Sequence, residues 1–126
     1  DSGDEEYWNE DHLLASTAVL AGEIMLISGA EIARIEGTNI NIGLLHEREA
    51  QTMVFSTGIF VSLEAQGESL LHWCAGRGSA TNLNKIYRVN EVSRKLCGGE
   101  ITPRQAYSQL EEIKNSTQYR KELKAV

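Results

Sequence analysis

The longest apolar stretch of the chain runs from Leu13 to Ile27, and it limits what the rest can do. A helix needs about 20 predominantly apolar residues to cross a bilayer. This run is shorter, and Ser16, Thr17, Gly22 and Glu23 interrupt it. It therefore predicts a buried helix of a folded domain. Leu13, Thr17, Leu20, Ile24 and Ile27 recur at helical spacing, and Leu14, Ala21 and Met25 widen the apolar face. Asn9 is the expected N-cap, with Glu10 and Asp11 in the first turn, where the helix dipole favours acids. Ser28 and Gly29 close the helix, glycine suiting the left-handed cap.

Beyond Gly29 the period of the apolar pattern divides the chain. A second helix is expected from near Ala30, with Ile32, Ile35 and Ile40 on its apolar side. Gly37–Gly43 is poor in helix formers, which predicts a broken helix resuming from Leu44 to Glu49. Alternation then takes over: Thr52–Ser56, Ile59–Leu63 and Ser69–Cys74 read as three short strands. Ala65–Glu68 is a hairpin connection between the last two. Helical spacing returns at Leu83, Ile86, Val89, Asn90 and Leu96, and Gly98-Gly99 ends that helix. Thr102, Pro103 and Gln105 form a capping-box pattern that opens a last helix, with Ala106, Leu110 and Ile113 inward. The expectation is an α+β domain: an N-terminal helical pair, a small mainly antiparallel sheet of about three strands, and two C-terminal helices over it. Residues 1–11 are expected as a flexible acidic leader, 12–114 as one domain, and 115–126 as a polar C-terminal extension.

Charge placement excludes several functions. The net charge is −6 over 126 residues, and six acids lie in the first eleven. Residues 12–76 hold seven acids and two bases, whereas 77–126 hold ten bases and five acids. The body is thus neutral overall with a basic C-terminal half, and it lacks the concentrated basic footprint that nucleic acid requires. Cys74 and Cys97 are too few for a disulfide framework and lack metal-site spacing, so both read as small apolar core residues. His12, His46 and His72 include no pair at the i, i+4 spacing of a helix-borne metal site. No metal and no cofactor is expected.

One stretch has the chemistry of a ligand site. Gly76–Thr81 precedes a helix, where free backbone N–H groups and the positive helix end favour anions. Arg77, Ser79 and Thr81 would bind a small carboxylate there, against the plainer reading of a turn capped by Ser79 or Thr81. A hydrolase using Ser56, Ser62 or Ser79 with a histidine is the enzymatic alternative, without the Gly-x-Ser-x-Gly elbow of many serine hydrolases. Glu31, Arg34 and Glu36 read as a charged helix surface. Trp8 lies ahead of the first helix, and Trp73 reads as strand packing.

Three ordered stretches carry a resemblance: Ser28–Glu36 (SGAEIARIE), Thr57–Leu63 (TGIFVSL), and Asn82–Arg94 (NLNKIYRVNEVSR) followed by Gly99–Thr102 and Leu110–Ile113. Together, over about residues 12–114, they resemble the soluble N-terminal domain of the threonine/serine exporter family. The pattern departs at Ser56, where proline is common, and at Gly37, where an acid is frequent. The resemblance implies a regulatory or assembly domain on the cytoplasmic face of the membrane, whose partner is the membrane-spanning part of the same or another chain. It implies export of small amino acids or, in relatives, a dicarboxylate. An amino-acid- or dicarboxylate-binding sensor is the third alternative, and self-association into a homo-oligomer is compatible with each. A basic C-terminal half nearest the membrane agrees with the positive-inside bias.

Overall fold

A computed structural model describes residues 2–55, 57–65, 68–75 and 81–125, with side chains at 12–55, 57–64, 73 and 81–116. In chain order the elements are α1 (Ser2–Ile27), α2 (Ile32–Gly43), a 3-10 turn (Leu44–His46), β1 (Glu49–Phe55), β2 (Gly58–Ala65), β3 (Glu68–Ala75), α3 (Leu83–Cys97) and α4 (Pro103–Ala125). The strands form one antiparallel sheet in the order β1-β2-β3. This is the expected α+β arrangement.

α1 is the hub. It contacts α2, α3, α4, β2 and β3. Leu14, Ala15, Ala18, Leu20, Ala21, Ile24 and Met25 are all buried. A helix apolar over most of its circumference needs cover over most of it; the sheet and three helices supply that cover, and the stripe through Ser16, Val19 and Glu23 stays half-buried. No described helix is long and apolar enough to cross a membrane. The helix begins earlier than the Asn9 cap implied: the acidic leader continues it back to Ser2. Its clustered acids lie at the end where the dipole favours negative charge. At the other end Gly29 adopts φ 87°, and the Ala30 N–H reaches back to the Met25 carbonyl at 2.9 Å, closing a left-handed cap.

α2 corrects the expected break. It runs unbroken through Gly37 to Gly43, and Leu44–Glu49 supplies only one 3-10 turn before β1 begins. Tertiary packing overrides the weak propensity. Ile35 and Ile42 enter the core, and the fully buried Asn39 donates from Nδ2 to Thr52 Oγ1 of β1 at 3.1 Å. Ile32 and Ile40, expected inward, are exposed, because the face that packs is the one through Ile35, Thr38, Asn39 and Ile42. Glu47 then takes a left-handed φ of 55°, and the Arg48 N–H bonds the Gly43 carbonyl at 2.9 Å.

The sheet alternates as its pattern requires. Ile59, Val61 and Leu63 of β2 are buried against the helices, with Val54, Thr52 and Ala50 beside them in register. Phe60, Ser62 and Glu64 occupy the opposite face.

Each helix of the C-terminal pair is capped at its N-terminus by side chains close in sequence. Asn82 caps α3, its Oδ1 accepting from the Lys85 N–H at 3.1 Å, so neither Ser79 nor Thr81 holds that position. The Asn82 N–H also donates to the Ser28 carbonyl at 2.8 Å, tying the start of α3 to the end of α1. Leu83 is exposed, since the buried stripe of α3 is Lys85, Ile86, Val89, Val92 and Leu96. Thr102 and Gln105 form the expected reciprocal box at the head of α4: each backbone N–H donates to the other's side chain, at 2.9 and 3.2 Å. Ala106, Leu110 and Ile113 are buried as expected. Cys97 is free and exposed, which corrects its assignment to the core: the last residue of α3 lies past the buried seam ending at Leu96. The Cys74 side chain lies outside the described residues.

Candidate functional site

The turn singled out in the sequence is described only at its end. Arg77 and Ser79 lie outside the described residues, and Thr81 is exposed. Thr81 sits against the α1 terminus, where a Cβ added to Gly29 would stand 3.0 Å from its Oγ1. The side-chain cap of α3 is Asn82.

The three histidines lie on separate elements. His12 lies in α1 and His46 in the 3-10 turn, both half-buried, while His72 is paired with Val61 in the β2–β3 ladder. Among the described residues no group of three His, Cys, Asp or Glu could hold a metal ion. Of the hydrolase candidates, Ser56 and Ser79 fall outside the described residues. Ser62 stands between Gln51 and Leu71 in the sheet register. Glu31, Arg34 and Glu36 are all exposed, as a solvated helix surface requires.

Two other features carry functional chemistry. The first is a groove of about 320 Å³ between α1 and α4. On α1, Ser16, Leu20 and Glu23 fall at helical spacing along one stripe, with Val19 beside them. On α4, Tyr107, Glu111, Lys114 and Asn115 form the facing stripe. The two walls are bridged where Lys114 Nζ meets Glu23 Oε1 at 3.2 Å. Glu23 is the more enclosed partner, its side chain 14% exposed against 46% for Lys114. The groove thus presents two carboxylates and one ammonium, with hydroxyl and amide groups around them.

Lys114 is held from behind. Lys85, buried on α3, donates from Nζ to the Lys114 backbone carbonyl at 2.9 Å. Burial, and then the positive charges of Arg88 and Lys114, push the Lys85 amine below its usual range. Arg88 Nη1 also reaches Ser116 Oγ at 3.1 Å, so α3 grips α4 along this length.

The second feature is the sheet face turned away from the helices. Met53, Phe55 and Trp73 are 56%, 51% and 46% exposed, with Phe60 half-buried between them. The rings of Phe55 and Phe60 lie 6.1 and 6.0 Å from that of Trp73, both tilted. Such pairs are favourable, but they leave large apolar area in water. At the other end of the same face Glu49 and Glu64 stand directly opposite each other in register. Trp73 therefore packs within its strand layer as expected and also forms part of an uncovered surface.

Of these groups, the sequence alone places only Trp73 and the strand alternation. The signal for Lys85 is its spacing to Val89 and Val92, which puts it on the buried seam. The signal for the groove is the helical series of Ser16, Leu20 and Glu23, visible only once α4 is known to lie alongside.

A family model described as "putative threonine/serine exporter" matches residues 16–126. No curated protein and no solved structure matches the chain.

Proposed function

Because this chain belongs to the threonine/serine exporter family, we propose that it is the exporter's regulatory and assembly domain on the cytoplasmic side of the membrane. The observation that carries this reading is the position of α1. Transport across a bilayer needs spanning segments. The chain's most apolar run is instead enclosed by its own sheet and helices. A region of such a family with this arrangement serves the spanning part and does not form the conduit.

The uncovered sheet face is the surface through which it assembles, and its occupant is the membrane-spanning part of the exporter. Met53, Phe55, Phe60 and Trp73 offer an apolar centre, which partners bury preferentially. Glu49 and Glu64 supply a negative rim. The short cytoplasmic loops of membrane proteins are rich in Lys and Arg, so the rim and the loops are complementary in charge.

In cells producing the exporter, Trp73→Ser should weaken co-purification of the domain with the spanning part and lower threonine export, while the purified chain still unfolds cooperatively. Undiminished export and co-purification with Trp73→Ser and with Met53→Glu would remove this assembly surface.

A further inference from the structure

We propose that the groove between α1 and α4 is a binding site for a single small zwitterionic amino acid. The site itself is argued from its geometry. Only the choice of a hydroxylated ligand, serine or threonine, rests on the proposed exporter role.

The volume, about 320 Å³, lies at the low end of ligand pockets and admits a free amino acid more readily than a larger solute. The charge pattern selects its ends. Glu23 and Glu111 outnumber Lys114, so the groove favours an incoming ammonium group, which donates to carboxylate oxygens. Lys114 and the Asn115 side-chain amide lie on the α4 wall, where they can receive the ligand's carboxylate. A zwitterion pairs its ammonium with Glu111, the carboxylate that the Lys114–Glu23 bridge leaves over, and sets its carboxylate beside Lys114, so the net charge of the groove is unchanged. Ser16 and Tyr107 offer hydroxyls to a ligand side-chain hydroxyl, and Val19 and Leu20 offer an apolar wall to a methyl group. Threonine has both.

The geometry also gives the site a route outward. Lys114 is anchored through its backbone by Lys85 of α3, and Glu23 belongs to the central helix. A ligand that draws on this bridge acts on the joint among α1, α3 and α4.

The test is an NMR titration of the 126-residue chain with L-threonine and with two halves of it: 1-amino-2-propanol, which lacks the carboxylate, and 3-hydroxybutyrate, which lacks the ammonium. Threonine should give saturable shifts at Val19, Leu20 and Tyr107, with each half binding at least about tenfold more weakly, the scale of one lost charge-assisted contact. Glu111→Gln leaves the Lys114–Glu23 bridge in place and should weaken threonine by a similar factor. Absence of saturable shifts at about 10 mM threonine, weaker than any useful metabolite site, would overturn the proposal. So would shifts centred on residues away from the groove, or a half-ligand binding as well as threonine. Binding is read on the chain alone, so an exporter indifferent to this domain would defeat the functional reading without touching this result.

Discussion

Gly37 and Gly43 belong to the same helix but face different surroundings, and they separate backbone propensity from packing. A Cβ on Gly37 meets nothing within 4 Å. Gly37→Ala should therefore stabilise by about 0.5–1 kcal/mol, the usual gain of alanine over glycine inside a helix. At Gly43 a Cβ would stand 3.0 Å from the Arg48 carbonyl oxygen and 3.1 Å from Leu63 Cδ2. The same propensity gain is outweighed there by an overpacking cost of about 1–3 kcal/mol, so Gly43→Ala should destabilise. Urea unfolding of both variants checks the pair; equal signs would mean that α2 does not approach β1 and β2 as described. At this scale local chemistry was legible and tertiary chemistry was not. The Thr102–Gln105 box and the glycine after α1 depend on neighbours in sequence, and both form as read. Exposure of Cys97 and burial of Lys85 depend on which face of α3 turns inward, whereas the Asn82 cap is as local as the box and differs from the expected Ser79 or Thr81 only in where the helix starts.

Among the elements, α3 and α4 are joined by a buried lysine, and this joint has a pH signature. The Lys85 amine is pushed below its ordinary value near 10.5, mainly by burial. Between that lowered value and 10.5 the unfolded chain binds more protons than the folded one, so folding stability rises with pH across this window. Below it both states are protonated and the offset is constant. Lys85→Met removes the titration, so the native chain should gain stability relative to this variant as pH climbs toward 10.5. A native chain that instead loses ground to Lys85→Met over that range would show that the amine is not enclosed at the α3–α4 joint. The elements themselves were largely readable: strand alternation told which face of β2 is buried, and helical spacing located α1, α3 and α4. The expected break in α2 failed because Asn39, a weak helix former, gains a buried partner in Thr52 that no local rule could supply. The groove was illegible for the same reason, since its walls come from opposite ends of the chain.

For the whole molecule, the fold is the consequence of one helix that has to be covered over most of its surface. The sheet covers it with the inward residues of β2, the other helices cover the rest, and the outer sheet face stays open with Met53, Phe55 and Trp73 in water. Family membership connects this body to amino-acid export, and the proposed role rests on α1 being interior to the domain. Amide hydrogen exchange of the 126-residue chain in detergent-free buffer tests that placement most directly. The amides of Leu14–Met25 should be among the slowest in the molecule, exchanging only with global unfolding, because most of that segment is buried. Fast exchange of Leu14–Met25 in buffer, with protection appearing only when detergent micelles are added, would contradict the account: α1 would then belong to the membrane and not to the core.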